Sequence, residues 1–358
     1  MQIRSKTEAQ QRADQIEAFR AELGIVEQEQ ILALELGQRA AVARYHDQLL
    51  HRLAAAFDID VTSKEKQLSL GMRITSSLGA LGLAASVFFF YFQYWGGLAT
   101  KTQVIILVTM PFGGLLCTLG AVWLERSGYF AKLFGLVSLV CFVLNLAMLG
   151  RIFNLAPTSQ ALLLWAGFAF LLAYAADARL LLAMGILSCA AYLSAQAATW
   201  NGCYWISFGE RPEHFFPAAG LFFLVSCIPH PRYPGFAALY RVFALLLFFL
   251  PVLVLSNWGE ISYLDLPRDR IEALYQTIGF AISGIAIVLG IVLAWPEVVN
   301  TGNVFFTLFL YTKFYDWWWD WMPKYQFFLI IGLTAIGMLL LLKGLRRFSM
   351  GRLQEGTA

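Results

Sequence analysis

An all-α, polytopic transmembrane bundle with a soluble helical N-terminus is the fold this chain predicts, and three observations predict it. The first is composition: of 358 residues, 59% are hydrophobic and 14% charged, and the mean hydropathy is +0.64. That is too apolar for a soluble two-domain protein. The second is unevenness, because Glu, Gln, Arg and Asp crowd the N-terminal segment while later charges fall mainly between apolar blocks. The third is a series of apolar stretches, each near the ~20 residues that a helix needs to cross a hydrocarbon core.

The N-terminal module comes first. Between residues 7 and 23, Ile16, Phe19 and Leu23 recur at three- and four-residue spacing, and between 30 and 57 so do Val42, Tyr45, Leu49 and Leu53. This spacing predicts two amphipathic helices, a cytoplasmic hairpin broken near Gly24, inside a soluble module over 1–73. Two uses are open for it: packing on itself or on the membrane domain, and docking a partner. His46 and His51 are five apart and so on different helix faces, which argues against a two-histidine metal site. The opening MQIRSKTEAQQRADQIEAF has no apolar core and no small-residue cleavage site, so no removable signal peptide is expected.

The polytopic domain, 74–348, follows with about ten expected spans at 74–94, 102–123, 130–149, 158–176, 178–198, 215–229, 237–256, 272–294, 298–317 and 322–343. The sixth, FFPAAGLFFLVSCIP, is short and proline-flanked, which leaves it open as a full, tilted or re-entrant segment. A basic and polar tail, 349–358, ends the chain. With the N-terminus inside, about twelve Lys and Arg lie on the inner side against about six on the outer, so both termini are expected in the cytoplasm. The tryptophans and most loop carboxylates then fall at the outer face.

Several classes are disfavoured. The formal charge is +3 and no Lys/Arg-dense stripe with interleaved aromatics occurs, so the bilayer rather than nucleic acid is the expected partner. The five cysteines form no CxxC pair and four of them sit in apolar segments, which argues against a disulfide framework or a zinc site. No phosphate loop, HExxH, GxSxG or dinucleotide fingerprint is present, so no cofactor is expected and no reaction is assigned.

Three places could carry chemistry. In KFYDWWWDWMPKY, residues 313–325, a helix continuing from the ninth span would line Lys313, Asp316, Asp320 and Lys324 along one stripe, with Pro323 ending it. Tryptophan anchoring at the headgroups and a carboxylate site for a cation, proton or sugar are both open. The loop from Trp200 to His214 joins Trp200 and Trp205 to Glu210 and Glu213; it is either an interfacial turn or an acid/base pair beside an aromatic platform. Asn300 and Asn303 either hydrogen-bond between helices or line a polar path with Lys313. Three functions follow: a non-enzymatic scaffold that docks partners, a small-solute or ion carrier using Asn300, Asn303 and Lys313, and an outer-face enzyme on a lipid-linked or glycan substrate using Glu210, Glu213, Asp316 and Asp320.

TWNGCYWISFGERPEHF (199–215), VLSNWGEISYL (254–264), VVNTGNVFFTLFLYTKFYDWWWDWMPKY (298–325) and RYHDQLLHRLAAAFDID (44–60) resemble the bacterial membrane proteins catalogued as domain of unknown function 2157. The resemblance covers nearly the whole chain. It implies a multi-pass protein of the bacterial inner membrane with a cytoplasmic helical N-terminus. It further implies a small membrane-anchored partner, named for a Gly-Asp-Tyr motif, whose genes accompany the family's. The family carries no established activity, so no catalytic residue is implied.

Overall fold

A computed structural model describes residues 6–57, 63–124, 128–154, 158–200, 211–233 and 235–337. All regular structure among them is helical. In chain order the helices are α1 (Lys6–Gln28), α2 (Leu36–Phe57), α3 (Ser63–Tyr94), α4 (Thr100–Leu124), α5 (Tyr129–Ile152), α6 (Gln160–Ala176) and α7 (Arg179–Trp200). After them come α8 (Phe216–Cys227), α9 (Phe236–Leu255), α10 (Arg268–Val292), α11 (Pro296–Trp318) and α12 (Lys324–Gly337). Each of the ten apolar stretches expected from the sequence overlaps one helix, α3 to α12, the tenth only as far as Gly337, since 338–343 lie outside the described residues. Among the described residues five of these helices, α4, α5, α7, α9 and α10, are long and apolar enough to cross a bilayer. Their outward faces carry large apolar side chains such as Leu116, Phe112 and Val288, which a bilayer can cover and water cannot.

The chain divides into two compact units, 1–248 and 249–358, with the division inside α9. The boundary expected at 73 falls inside α3, where one helix runs through from the polar segment into the apolar one.

In the first unit α1 and α2 pack on each other through Ala9, Ala13 and Ile16 against Leu50 and Leu53. Arg20 bonds Asp47 at 2.8 Å and Arg39 pairs with Glu27 at 3.3 Å, which gives an antiparallel register. Two details differ from expectation. Gly24 does not break the helix; α1 continues to Gln28 and ends where Gln30 takes a left-handed φ of 57°, with Ile31 N–H donating to Val26 O and Gln30 N–H to Glu27 O. A mid-helix glycine costs only ~1 kcal/mol, too little to stop a helix whose next turn keeps its bonds, whereas this paired closure satisfies the last carbonyls. The buried stripe of α2 also holds His46, while Tyr45 is exposed.

The membrane part of this unit is built from neighbouring pairs: α4 on α5, α6 on α7, α3 on α5 and α5 on α6. Small residues set the spacing. A Cβ on Gly114 would lie 2.8 Å from Ser138 Cβ, and one on Gly185 would lie 2.8 Å from the Phe170 ring. Ser138 donates to the Pro111 carbonyl at 3.0 Å, beside the proline that interrupts the α4 ladder. The core runs through Leu139, Leu172, Leu182, Ile186, Phe222 and Phe236. Without a hydrophobic force between helices in lipid, close backbone approach of this kind is what holds them together.

In the second unit α10 packs on α11. Gly279 lies under the Phe309 ring, Gly290 against Val299, and Gly302 against Ile287 and the Ser283 carbonyl. Buried Gln276 donates to Phe309 O at 3.0 Å. The turn between them closes with Trp295 N–H donating to Gly290 O at 2.8 Å and Ala294 N–H to Ile291 O at 3.3 Å. Ala294 therefore occupies the left-handed position, at φ 54°, that glycine normally fills. Ala294→Gly is expected to stabilise the protein by about 0.5–1 kcal/mol, since it removes Cβ strain of ~1–2 kcal/mol but adds freedom to the unfolded chain. A fall in midpoint on denaturant titration in detergent would contradict this.

Candidate functional site

The tryptophan-rich stretch turns out differently from the stripe its spacing predicts. Helix α11 stops at Trp318, so Asp320 lies in the turn that follows it, which Met322 N–H closes by donating to Trp318 O at 3.0 Å. The reason lies at Pro323. A helix continuing through it would need an N–H at 323 for the Trp319 carbonyl, and proline has none. The Lys324 ammonium donates to that carbonyl instead and sits over the Trp319 ring, 3.6 Å from its centroid. Trp319 is further held by Tyr315, at 5.0 Å, and by Phe327 of α12, at 5.3 Å. Lys313 reaches Asp316 at 3.8 Å and the Trp317 ring at 5.5 Å, and Trp321 donates from its indole to Trp317 O at 2.8 Å. Asp316 and Asp320 are both exposed. The stretch is a turn between α11 and α12 in which Lys313 meets Asp316 and an indole, Lys324 meets the Trp319 carbonyl and ring, and the Trp321 indole meets the Trp317 carbonyl.

Of the second constellation, Trp205 and Glu210 lie outside the described residues, and Trp200 is the last residue of α7. Half-buried Glu213 and buried His214 form a short 3-10 turn, Pro212–Phe215, packed on α7 and α8. Asn300 is exposed, while Asn303 donates to Val299 O of its own helix at 2.9 Å, with its amide oxygen buried. Lys313 lies ten residues further on, about 15 Å along the axis at the helical rise, so the three residues are not gathered in one place. Among the described residues no three His, Cys, Asp or Glu side chains converge as metal ligands would.

Two features carry no signal in local spacing. At the turns joining α6 to α7 and α8 to α9, Tyr174 and Tyr240 place their hydroxyls 3.2 Å apart. The His230 ring stacks on Tyr174 and tilts against Tyr240, while its Nδ1–H donates to Ile228 O at 2.6 Å. This leaves Nε2 as the lone-pair nitrogen of the neutral ring. Tyr233 and Phe236 complete the packing around Tyr174. Gly235, at φ 94°, lies so close to Arg179 that a Cβ there would be 2.7 Å from the guanidinium. The 228–236 connection is thereby clamped to the end of α6 by rings drawn from three segments. In the second unit a similar clasp fixes the connection into α10. Arg268 bonds both Glu272, at 2.7 Å, and Glu260, at 2.8 Å, and Glu272 also accepts the Gly259 N–H.

The other feature is the far end of the α1–α2 pair. Ile25, Ile31, Leu32 and Leu36 are all exposed, Ile31 at 72% and Leu36 at 87%. None belongs to the small core of the pair, which lies nearer the other end of both helices.

His46 lies between that core and this end, buried, edge-on to Phe19 with ring centroids 5.6 Å apart. Burial first, then the cations Arg20 and Arg12, hold its pKa below the usual 6.5, with Asp47 opposing them. The folded pair therefore favours the neutral ring. Its contribution is complete above pH 6.5 and is lost as the pH falls below that value toward the folded pKa, by at most about 1.4 kcal/mol per pH unit. Spin labels on exposed positions of α1 and α2 should report a growing separated population on acidification, and His46→Leu should flatten that response. A wild-type response as flat as that of the variant would contradict the assignment.

No family model, curated protein or solved structure matches the chain. What the fold defines is a class: a helical, membrane-embedded protein, with at least one helix pair outside the apolar series.

Proposed function

We propose that the chain is a multi-pass protein of the bacterial inner membrane that crosses the bilayer ten times with both termini in the cytoplasm. Its N-terminal helical hairpin docks a partner protein. The resemblance to domain of unknown function 2157 and the distribution of Lys and Arg support the orientation. The observation that carries the docking role is the exposure of Ile25, Ile31, Leu32 and Leu36 at one end of the α1–α2 pair, since exposed apolar side chains grouped in one short segment mark an interaction site where scattered ones do not. A carrier path or an outer-face active site would need convergent polar groups. Of the candidates for these, Asn300, Asp316 and Asp320 are exposed, Asn303 bonds within its own helix and Lys313 reaches Asp316.

A photo-reactive residue at Leu36 tests the docking role in native membranes. The expected result is a discrete adduct with another protein, absent when the same residue stands at Asp320. Cross-linking of lipid alone, or no adduct at all, would overturn it. Cysteine labelling of Leu36 and Asp320 from either side of intact cells tests the orientation, and labelling of both from one side would refute it.

A further inference from the structure

The end of the α1–α2 pair has a charge as well as an apolar surface. Glu22, Glu29 and Glu35 are exposed around Ile25, Ile31, Leu32 and Leu36, and Glu27 is tied to Arg39. No Lys or Arg occurs between positions 21 and 38. An apolar tip ringed by carboxylates discriminates among possible occupants.

A bilayer surface is disfavoured. Segments that lie in the headgroup region carry Lys and Arg beside their apolar face, because the cytoplasmic leaflet is anionic; here the exposed carboxylates of Glu22, Glu29 and Glu35 outweigh one exposed cation, Arg39, which is itself paired with Glu27. A second copy of the chain is disfavoured for the same reason, since a symmetric contact between two tips would set carboxylate against carboxylate. What fits is a surface with aliphatic or aromatic side chains for Ile31, Leu32 and Leu36 and with cations for Glu22, Glu29 and Glu35. A helix offering apolar residues at three- and four-residue spacing, flanked by Lys and Arg, has both in the right geometry.

We infer that the tip of the α1–α2 pair binds a basic amphipathic helix of another protein. This rests on the docking reading and narrows it to a partner class. Rim charges of this kind act mainly on encounter and choice of partner, while the aliphatic contacts hold the complex.

The test pans a displayed library of randomised twenty-residue helical peptides on the full chain in phosphatidylcholine nanodiscs, with empty nanodiscs as counter-selection. Enriched peptides are expected to be amphipathic with net positive charge. The best of them should bind at least ten-fold more weakly to the Ile31→Ser, Leu36→Ser double variant, and several-fold more weakly to Glu29→Gln, Glu35→Gln. Both variants alter exposed positions outside the core of the pair, and unchanged α1–α2 spin-label distances verify that they fold. Neutral or acidic winners, winners indifferent to the tip variant, or no enrichment would each overturn the inference. So would tip-dependent binding of the chain to anionic vesicles, or tip-dependent self-association. Should the Leu36 photo-adduct form in native membranes while panning returns no basic helices, docking stands and the partner class falls. Should neither occur, both fall.

Discussion

Gly114→Val is expected to unseat α5 from α4 and to destabilise the protein by about 3 kcal/mol, at the upper end of ordinary overpacking. The reason is the nature of the obstacle. A Cβ at position 114 would meet Ser138 Cβ at 2.8 Å and Ser138 Cα at 3.0 Å, so no rotation of a side chain relieves the clash and the helices must part. Parting also withdraws the Ser138 hydroxyl from the Pro111 carbonyl. Gly113 is the internal control, because a Cβ there meets nothing within 4 Å. Both substitutions change helix propensity equally, so the difference in Tm in detergent isolates the contact. Equal losses at 113 and 114 would refute the packing described.

Ile16→Asp should have a comparable effect confined to the N-terminal pair. Ile16 is 2% exposed and sits among Ala9, Ala13, Leu50 and Leu53. A carboxylate there is set among apolar side chains, and even with Arg12 and Arg20 one turn away on either side its burial costs several kcal/mol or forces the helices apart. Most of a helix's stability in a protein comes from packing of its apolar face, so a pair joined by so few buried side chains is expected to separate, not merely weaken. Hydrogen exchange in the full-length protein should show protection lost along both α1 and α2 while the membrane helices keep theirs. Leu36→Asp, at 87% exposure, should leave protection unchanged. Intact protection in the Ile16 variant would mean that the two helices are held by something other than this cluster.

The tryptophan-rich turn shows how a composition signal can mislead about chemistry. Its density of indoles and charges suggests a site, yet its lysines reach Asp316 and the Trp319 carbonyl, and Asp320 lies exposed in the turn after the helix. The missing N–H of Pro323 is visible in the sequence; which group takes its place is not. The α2 stripe is a subtler case. Counting apolar residues selects Tyr45, whereas the packed face takes His46, a residue that hydropathy alone would send to solvent.

The positions of ten helices could be read from the chain because length and apolarity belong to a segment and need no knowledge of its neighbours. The end of α1 at Gln28 was not legible in this way, since it depends on two backbone bonds formed as the turn at Gln30 closes. Nor was the Tyr174, His230 and Tyr240 cluster, whose members come from α6, the connection after α8, and α9, and share no spacing. Exposure of Ile31 and Leu36 falls on the same side of this divide. An apolar residue in a helical pattern is expected inside, and its position outside became known once the partner helix was seen to bury Ile16 and Leu50 and leave the tip uncovered. Local free energies select helices, but contacts between residues far apart in sequence select which faces remain for a partner.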